Sequence, residues 1–367
     1  MKKVLPFRSV LIFGGAGFVG CNWAHRLLQT TNARVHIFDN LSRRGVEQNL
    51  EWLRRESKDP ERLKITVGDI RDAAAVWKAV QGATEIYHFA AQVAVTSSIV
   101  DPRHDFEVNA LGTLNVLEAA RKSGRQPFLL FTSTNKVYGN LSGKPLVLTG
   151  RRYCTLDEKG MNESQPLDLY SPYGCSKGTA DQYVHDYSRI FALPTVVFRM
   201  SCIAGPRQFG NEDQGWVAHF LYSALQGRPV TIFGDGKQVR DVLCVHDLVL
   251  AFEKVREQVE KTAGQIYNVG GGIRNSVSLL EVIDEIESVT GKRVRCNLQR
   301  PRPGDQLFYV TDFEKLTRHT GWKPRHSVRQ TIHAIYEWWR EQRRVSELLP
   351  LEPVAQPALT PVPEAAS

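Results

Sequence analysis

The first 200 residues of the chain alternate between short apolar runs and longer amphipathic stretches. Six of the apolar runs are rich in β-branched and aromatic residues and predict buried strands, at Val10–Phe13, Val35–Phe38, Lys64–Val67, Glu85–Phe89, Phe128–Thr132 and Thr195–Arg199. Helical periodicity between them predicts helices over Gly17–Thr30, Ala73–Val80, Asp105–Lys122 and Ser176–Phe191. Strands that alternate with helices favour a parallel sheet, so the predicted fold class is α/β with a doubly wound parallel sheet.

The pattern becomes looser after about residue 200, where shorter elements are separated by Gly-Asp-Gly and Pro-Arg-Pro-Gly turns. We therefore predict a large domain over residues 8–200, with a returning segment near 239–271, and a smaller C-terminal lobe over 201–345. Residues 348–367 are rich in Pro, Ala and Glu without periodicity, which predicts a disordered tail.

Composition excludes several classes of protein. Of the 367 residues, 42% are hydrophobic and 23% are charged, and no apolar run reaches the roughly 18 residues of a membrane-spanning helix. The basic start runs directly into the first strand without a signal-peptide cleavage site, so we expect a cytoplasmic protein with no membrane partner. The net charge of +8 comes from Lys and Arg interspersed with acids, which is typical of a solvated surface and predicts no nucleic-acid partner.

The six cysteines are scattered and form no Cys-x-x-Cys pair, which is typical of reduced thiols. Cys244 and His246 lie close in sequence, but two candidate ligands do not make a metal site. The sequence therefore predicts no bound metal.

A glycine-rich segment, Gly14-Gly15-Ala16-Gly17-Phe18-Val19-Gly20, follows the first strand and opens the first helix. Its glycines at 14, 17 and 20 permit a tight turn, a close approach of the backbone to a pyrophosphate, and close contact between helix and strand. The helix N-terminus then faces the phosphates. Such glycine patterns are common by themselves, but the strand–turn–helix context makes this one a strong indication of a dinucleotide site.

An acidic residue, Asp39, ends the second strand about 20 residues after the glycines. A carboxylate there accepts hydrogen bonds from the adenosine ribose and repels a 2′-phosphate, so it favours NAD over NADP. Arg43 and Arg44 are the counter-evidence, because arginines can hold that phosphate. Asp69 ends the third strand, where it could reach the adenine amino group or simply form a turn. The small residues Ala90-Ala91 after the fourth strand allow a cofactor to lie close.

Thr134, Tyr173 and Lys177 together have the chemistry that alcohol oxidation requires. A tyrosine whose pKa of about 10 is lowered toward neutrality can take a hydroxyl proton while hydride leaves to a nicotinamide. Lys177 follows Tyr173 by four residues on one helix face, and a nearby ammonium is expected to lower the tyrosine pKa. Thr134 can hydrogen-bond the reacting oxygen. A Tyr-x-x-x-Lys pair is often only a surface pair, but here it follows a complete dinucleotide pattern.

With these motifs the chain resembles the extended short-chain dehydrogenase/reductases that act as NAD-dependent sugar-nucleotide epimerases and dehydratases. The resemblance covers roughly residues 8–340 and includes Val108–Thr113, Val230–Asp241 and Arg302–Asp305. It implies a Rossmann domain that binds NAD, a C-terminal lobe that binds a nucleotide-diphosphate sugar, and a homodimer or homotetramer. The cofactor contacts that we expect are Gly14, Gly17, Phe18, Val19, Gly20, Asp39, Asn40, Arg43, Asp69, Ile70, Phe89, Ala90, Ala91, Gln92, Asn109, Thr132, Tyr173, Lys177 and Met200.

The pair that follows Thr134 bears on the reaction. The 4,6-dehydratases of this family carry Asp-Glu there for the acid and base work of elimination, whereas this chain has Asn135-Lys136. An amide and an ammonium cannot do that work, so we expect a redox-neutral epimerisation. The segment Ser133–Gly139 resembles the CDP-paratose 2-epimerases, which implies inversion at C2 of a CDP-sugar. The alternative is another nucleotide-sugar epimerase, acting on a GDP- or UDP-hexose at C2 or C4.

In the lobe, Arg240 and Arg302 occupy family positions that suit the substrate diphosphate, because a guanidinium fork matches phosphate oxygens. A surface salt bridge is the alternative for each. Cys202 stands where many epimerases of the family have Asn, which leaves the sugar open. The expected substrate contacts are Thr96, Asn135, Lys136, Ser201, Gln208, Trp216, Arg240 and Arg302.

Overall fold

The central feature of the computed structural model is a sheet of seven parallel strands. The structure describes residues 8–141, 143–156, 160–302 and 304–348, with side chains up to residue 343. Across the sheet the order of strands is Gln265–Val269, Thr195–Met200, Phe128–Thr134, Glu85–His88, Ser9–Phe13, Arg34–Asp39 and Leu63–Val67. The predicted fold class is confirmed, and each of the six predicted strands is present.

In every strand of this sheet except the edge strand Leu63–Val67, alternate residues enter two separate apolar cores, one on each face of the sheet. In the first strand, Val10 and Ile12 pack into one core, whereas Leu11 and Phe13 pack into the other. A strand buried on both faces has no polar side, which explains why these strands are continuous apolar runs in the sequence. The first face is covered by Phe18–Thr30, Val46–Glu56 and Val245–Glu257, and the second by Ala73–Val80, Gly112–Lys122 and Ser171–Phe191.

The helix predicted over Asp105–Lys122 is not continuous. It is divided into Pro102–Phe106, a π-helical turn at Glu107–Leu111, and Gly112–Lys122. Asn109 lies in the π turn, and its side chain bonds the backbone N–H of Gln92 at 3.0 Å and the Ser176 hydroxyl at 3.1 Å. Turns of this kind are frequent at functional sites, and here the turn directs Asn109 toward other segments of the chain.

The long helix over Ser171–Phe191 begins before the predicted Ser176. Pro172 lies in its first turn, where the missing N–H of proline costs no hydrogen bond. Two further helices, Val46–Glu56 and Val95–Val100, were not predicted from the sequence. Val46–Glu56 does place Val46, Leu50 and Leu53 on one buried face at helical spacing, a pattern that the prediction missed, whereas Val95–Val100 is too short to show a period.

Residues from Cys202 onward form additional sheets beside these elements. A four-stranded sheet contains Cys202–Ala204, Val239–Cys244, Ser276–Ser278 and Phe308–Tyr309, and a two-stranded sheet contains Val230–Phe233 and Cys296–Gln299. Helices Trp216–Leu225, Leu279–Thr290 and Val328–Leu348 share a third apolar core. Shorter elements are Pro60–Arg62, Asn135–Tyr138, Leu146–Thr149, Arg152–Thr155, Val259–Thr262, Ile273–Asn275 and Glu314–Thr320. The domain boundary near residue 200 stays a prediction.

No helix in the described part of the chain is both long and apolar enough to cross a lipid bilayer. The disordered tail predicted over residues 348–367 lies outside the described residues, apart from Leu348 at the end of the last helix.

The carboxyl ends of the parallel strands bring the predicted site residues to one edge. Gly14 follows the first strand, Asp39 ends the second, Phe89 follows the fourth, and Thr134 ends the fifth. In an open parallel sheet this edge is where ligands bind, because loops there diverge to opposite faces and leave a crevice.

Candidate active site

A cavity of about 690 Å³ lies along the carboxyl edge of the central sheet. It extends from the glycine-rich loop to Tyr173 and Lys177. The predicted cofactor contacts in its wall are Gly14, Gly17, Phe18, Val19, Gly20, Asp39, Asn40, Arg43, Asp69, Ile70, Phe89, Ala90, Ala91, Gln92, Thr132, Tyr173, Lys177 and Met200. Residues far apart in the sequence thus share one surface that is large enough for a dinucleotide.

Eight expected contacts lie outside this wall, namely Asn109 of the cofactor set and Thr96, Asn135, Lys136, Ser201, Trp216, Arg240 and Arg302 of the substrate set. Asn109, expected at the cofactor, is buried behind Gln92 and holds its backbone N–H at 3.0 Å. Thr96, expected at the substrate, has a buried hydroxyl without a hydrogen-bond partner among the described residues. Direct contact of Asn109 with the cofactor and of Thr96 with the substrate stays a prediction.

The glycine-rich loop makes two close approaches that exclude side chains. Gly14 has a φ of +75° and donates its N–H to the Phe38 carbonyl at 2.9 Å. A Cβ at Gly14 would lie 2.6 Å from the backbone nitrogen of Ala90, and one at Gly20 would overlap the Gly14 carbonyl oxygen. The loop consequently lies flat, and the N-terminus of the following helix faces the cavity, as an anion site requires.

Asp39 ties the glycine-rich loop to the end of the second strand. Its Oδ2 accepts the N–H of Ala16 at 3.0 Å and its Oδ1 accepts the N–H of Leu41 at 2.9 Å. Burial raises the pKa of Asp39, while these amides favour the ionised form. Because each carboxylate oxygen has two lone pairs, Asp39 can still accept a hydroxyl from the cavity.

Asp69 at the end of the third strand forms a two-point ion pair with Arg71 at 3.0 and 2.9 Å, and Asn40 donates to it at 3.1 Å. The Arg71 guanidinium lowers the pKa of Asp69 to about 2. Its carboxylate also accepts the Arg71 N–H at 2.9 Å, as in a turn. Asp69 therefore forms the turn and still presents a charged carboxylate to the cavity.

Arg43 joins the two sides of the cavity. It lies in the loop after the second strand and donates to the side-chain oxygen of Gln214, which belongs to the loop before helix Trp216–Leu225. Burial lowers the pKa of Arg43. The expected contact Arg43 is thus in place in the wall, on the same side of the cavity as Asp39.

Tyr173 and Thr134 meet at the far end of the cleft. Tyr173 is buried, and its hydroxyl hydrogen-bonds the Thr134 side chain. Thr134 Oγ1 also accepts the N–H of Lys136 at 3.2 Å, which orients the threonine. Burial raises the pKa of Tyr173 to about 12, although the bond from Thr134 acts to lower it. The expectation of a lowered tyrosine pKa is therefore wrong for this structure, because desolvation of the phenolate outweighs the favourable contacts.

Lys177 is held against the strand that carries the threonine. Its Nζ donates to the Thr132 carbonyl at 2.7 Å and lies 4.1 Å from the centroid of the Phe131 ring. Burial lowers the pKa of Lys177 to about 7, and Asp181 and Asp105 oppose this only in part. An ammonium has three donors, so two remain for a ligand in the cavity that Lys177 lines.

Asn135 and Lys136, next to Thr134, each bond a residue from the C-terminal part of the chain. The Asn135 amide donates to Gln306 Oε1 at 3.1 Å, and Lys136 Nζ lies 3.5 Å from Asp305 Oδ1. Arg240 reaches the same oxygen of Asp305 at 2.7 Å. Three of the expected substrate contacts therefore converge, with Asp305 and Gln306 as their partners.

Asp305 stays ionised in this cluster. Burial acts to raise the pKa of Asp305, but Arg240 and Lys136 together outweigh it and the net pKa is lowered. Burial lowers the pKa of Lys136, and the charge of Arg240 acts in the same direction. Two cations around one carboxylate leave a net positive charge, which suits a phosphate group.

Arg302 lies in a different setting. Its guanidinium is 3.4 Å from Asp213 and 3.7 Å from Glu212, and it lies 3.8 Å from the centroid of the Phe233 ring. The surface salt bridge that was the alternative for Arg302 is therefore present. The Arg302 side chain is 29% exposed, so an anionic ligand can compete with these acids.

The remaining expected substrate contacts lie near the start of the lobe. Gln208 lines the cavity and donates to the Ile203 carbonyl at 3.1 Å. Trp216 donates its indole N–H to Cys202 Sγ at 3.3 Å, and the Ser201 hydroxyl bonds Asp241. Trp216 also packs against the third apolar core, which holds its ring beside Cys202.

Several residues of the wall were not predicted from the sequence. Arg207 has a φ of +69°, and its guanidinium lies 3.4 Å from the centroid of the Trp52 ring. Burial lowers the pKa of Arg207 to about 10. Ser97 and His104 also line the cavity. Only Arg207, beside the predicted Gln208, had a sequence signal that could have identified it.

Known proteins share this architecture over nearly the whole chain. Residues 11–335 match the sequence model of a family described as GDP-mannose 4,6 dehydratase. CDP-paratose 2-epimerase from Salmonella typhi is 41% identical over 338 residues, which cover 90% of this chain and 98% of that protein. UDP-glucose 4-epimerase from Thermus thermophilus, solved in complex with NAD, has a TM-score of 0.75 and 33% identity, covering 90% of this chain and 99% of the other.

A dTDP-glucose 4,6-dehydratase from Streptomyces venezuelae, solved with NAD, has a TM-score of 0.78 and 28% identity, covering 92% of this chain and 98% of the other. The chain belongs to the extended short-chain dehydrogenase/reductase family of sugar-nucleotide epimerases and dehydratases. As a member of this family it is an enzyme of nucleotide-sugar chemistry. The family is NAD-dependent, which agrees with the predicted cofactor.

Proposed function

We propose that this enzyme inverts C2 of a CDP-sugar of the paratose or tyvelose type, with NAD as its cofactor. The observation that carries the proposal is the arrangement of four side chains at the end of the cleft, those of Tyr173, Thr134, Asn135 and Lys136. Tyr173 bonds Thr134, and the next two residues are an amide and an ammonium. The similarity to CDP-paratose 2-epimerase over 98% of that protein supports the choice of base and carbon.

The residues of the cavity fit NAD. At Gly14 and Gly20 the backbone approaches too closely to admit a side chain, and the helix N-terminus behind them suits a pyrophosphate. Asp39 can accept a ribose hydroxyl and repels a 2′-phosphate. When bound, NAD supplies a nicotinamide that accepts a hydride from the sugar carbon and returns it.

Tyr173 is the proposed acid and base. As phenolate it takes the proton of the sugar hydroxyl while the carbon is oxidised, and as phenol it returns the proton after the keto sugar has turned in the pocket. Thr134 hydrogen-bonds the same oxygen and fixes its distance from Tyr173. Lys177, held by the Thr132 carbonyl, supplies the positive charge that favours proton removal when a ligand fills the cavity.

Elimination is disfavoured at this site because a neutral acid is missing beside the threonine. Asn135 cannot donate a proton to a leaving hydroxyl, and Lys136 lies beside a carboxylate that stays ionised, that of Asp305. A 4,6-dehydratase would need an acid and a base for water loss. Epimerisation needs no acid or base beyond Tyr173, since no water is lost and the hydride returns to the carbon that lost it.

Arg240 and Lys136 are the proposed contacts of the substrate diphosphate or sugar. Arg240 is buried, and its ion pair with Asp305 aims the guanidinium at the cluster next to Asn135. We assign Arg302 to the same diphosphate. We assign Gln208 and Trp216 to the pocket of the sugar or the nucleobase. The lobe over residues 201–345 would hold the nucleotide, while residues 8–200 with the segment near 239–271 would hold NAD, in a homodimer or homotetramer.

The proposal is tested by incubating the purified enzyme with CDP-paratose and following the sugar C2 proton by NMR. The expected result is conversion to the C2 epimer without deuterium at C2 when the buffer is D₂O, because the hydride returns from the cofactor. Deuterium incorporation at C2 would show an enolisation mechanism instead. No conversion of CDP-paratose, together with C4 inversion of UDP-glucose, would replace the proposal by a 4-epimerase.

A 4-epimerase is the second candidate, favoured by the TM-score of 0.75 to a UDP-glucose 4-epimerase at 33% identity. The hydroxyl, phenol and ammonium would do the same chemistry at C4. Parallel assays with CDP-, UDP- and GDP-hexoses therefore show separately which nucleobase the enzyme accepts and which sugar carbon it inverts. The nucleobase that gives the lowest KM is the one for which the lobe is specific. The carbon that is inverted shows how the sugar lies against Tyr173.

A further inference from the structure

Three side chains with metal-binding atoms converge at a point outside the active site. The ligand atoms of Cys244, His246 and His326 all lie within 4.8 Å of one another. Cys244 and His246 flank the start of helix Val245–Glu257, while His326 precedes the last helix. None of the three lines the cofactor cavity. The sequence predicted no metal because His326 is 80 residues from His246 along the chain.

We propose that Cys244, His246 and His326 bind a thiophilic divalent transition metal of the zinc class, with water as a fourth ligand. A thiolate and two imidazoles are ligands that Zn²⁺ prefers, and three protein ligands with one open position are common. In a tetrahedral zinc site, with Zn–N bonds of about 2.0–2.1 Å and Zn–S bonds of about 2.3 Å, neighbouring ligand atoms lie about 3.3–3.6 Å apart. The ligand atoms lie within 4.8 Å of one another, so metal binding would draw the three side chains closer by rotation about their side-chain bonds.

A buried carboxylate orients one of the ligands. Asp247 Oδ1 lies 2.9 Å from His326 Nδ1, and its Oδ2 accepts the backbone N–H groups of Arg325 and His326, each at 2.9 Å. The Asp247 side chain has no exposed surface. A carboxylate on one ring nitrogen is the common outer partner of a metal-bound histidine, and it leaves Nε2 for the metal.

The charges and the access also fit. The Cys244 thiolate and the Asp247 carboxylate together neutralise a divalent ion, so the buried site carries little net charge. Cys244 precedes the first turn of a helix, where the dipole favours an anionic sulfur. Cys244 is buried while His246 is exposed, so an ion can reach the sulfur from solvent beside His246.

The metal would act as a structural link rather than in the sugar chemistry. It would join the start of helix Val245–Glu257, which packs on the central sheet, to the segment before helix Val328–Leu348, which packs in the third core. A ligand that binds only the folded protein stabilises it by an amount that grows with the logarithm of the ligand concentration above Kd. The expected consequence is a rise in the unfolding temperature when Zn²⁺ is added.

The test uses the full-length chain, stripped with a chelator and titrated with Co²⁺ as a spectroscopic substitute for Zn²⁺. We expect one equivalent per chain, a thiolate-to-metal charge-transfer band, and the intense visible bands of tetrahedral Co²⁺. His246→Ala should weaken binding by at least about 100-fold, since even loss of an outer partner costs about 10–100-fold. Because His246 is exposed, this variant should keep its fold and its NAD binding.

Cys244→Ser should abolish the charge-transfer band, and His326→Ala should weaken binding as His246→Ala does. Cys296→Ser and His333→Ala are the matched controls, since both residues are exposed and lie outside the cluster. These two should bind Co²⁺ as the unaltered chain does. The proposal is overturned if the charge-transfer band is absent from the unaltered chain, if His246→Ala leaves the titration unchanged, or if Cys296→Ser removes the band.

Discussion

The cofactor end and the substrate end of the cleft are held together in different ways. At the cofactor end, Gly14 and Asp39 are positioned by backbone hydrogen bonds and close backbone contacts. At the substrate end, Lys136 and Arg240 are positioned by one carboxylate, that of Asp305, at sequence separations of 169 and 65 residues. One end therefore depends on the absence of side chains, and the other on a balance of charges.

This difference has a physical consequence. Backbone contacts in a close-packed loop cannot adjust, so a change there costs folding free energy and cofactor affinity together. At the substrate end Arg240 is buried while Lys136 and Asp305 are partly exposed, so a charged ligand can exchange for Asp305 as the partner of the two cations. Changes there that keep the positive charges should therefore alter substrate affinity more than stability, whereas removal of a buried charge would destabilise the fold.

The largest effect is expected where the two ends meet. Tyr173→Phe removes the only proposed acid and base, so kcat should fall about 10²–10⁴-fold while NAD binding is retained. Steady-state kinetics and fluorescence titration with NADH measure the two quantities. Tyr183→Phe, an exposed tyrosine of the same helix, is the control and should keep full activity. Equal activity of the two variants would contradict the assignment.

At the substrate end, Arg240→Lys should raise KM for the nucleotide sugar about 10–100-fold, because charge-assisted hydrogen bonds of the guanidinium fork contribute roughly 1.5–3 kcal/mol. NAD affinity and unfolding temperature should change little. Arg293→Lys, whose side chain is 92% exposed in the same lobe, is the control. If NAD affinity fell as much as substrate affinity, the two ends would not be separable.

At the cofactor end, Gly20→Ala should lower the free energy of unfolding by about 1–3 kcal/mol, because the new Cβ would overlap the Gly14 carbonyl. NAD affinity should fall with it, whereas KM for the sugar should change less. Chemical denaturation and NADH titration test this. Gly143→Ala is the control, since a Cβ there meets nothing within 4 Å. Similar losses in both variants would show that the overlap is not the cause.

A further expected effect is a pH dependence of stability. Folding lowers the pKa of Lys177 from 10.5 to about 7, so the unfolded chain binds more protons between these values. The contribution of Lys177 to stability therefore rises with pH across this window. Lys177→Met should remove this slope when unfolding is followed between pH 7 and pH 10, below the range where Tyr173 titrates in the folded protein. A slope that is unchanged in the variant would show that Lys177 is not desolvated.

The cofactor end could be predicted from the sequence because its signals are local. The turn at Gly14, the helix after it and the acid at Asp39 lie within one strand–helix–strand unit, and their spacing carries the geometry. Tyr173 and Lys177 were likewise found together because four residues along a helix bring two side chains to one face. The pKa of Tyr173 was not predictable in this way, since burial depends on the whole cleft.

Asp305, Gln306 and Arg207 escaped prediction as site residues because their roles depend on partners far along the chain. Asp305 belongs to the site only through its ion pairs with Lys136 and Arg240. Arg207 is positioned by the ring of Trp52, over which its guanidinium lies. Asn109, predicted as a cofactor contact, accepts the backbone N–H of Gln92, a contact that no local pattern indicates. Pairings of this kind leave no periodic trace in the sequence.

The sequence by itself determined the α/β class, the dinucleotide loop, and the hydroxyl, phenol and ammonium of the proposed chemistry, because each follows from periodicity or from short spacing. Only the tertiary structure decided which charges surround the substrate end, how far burial shifts the pKa values of Tyr173 and Lys177, and that His326 lies beside Cys244 and His246. Long-range contacts and desolvation are properties of the packed chain, and no local pattern encodes them.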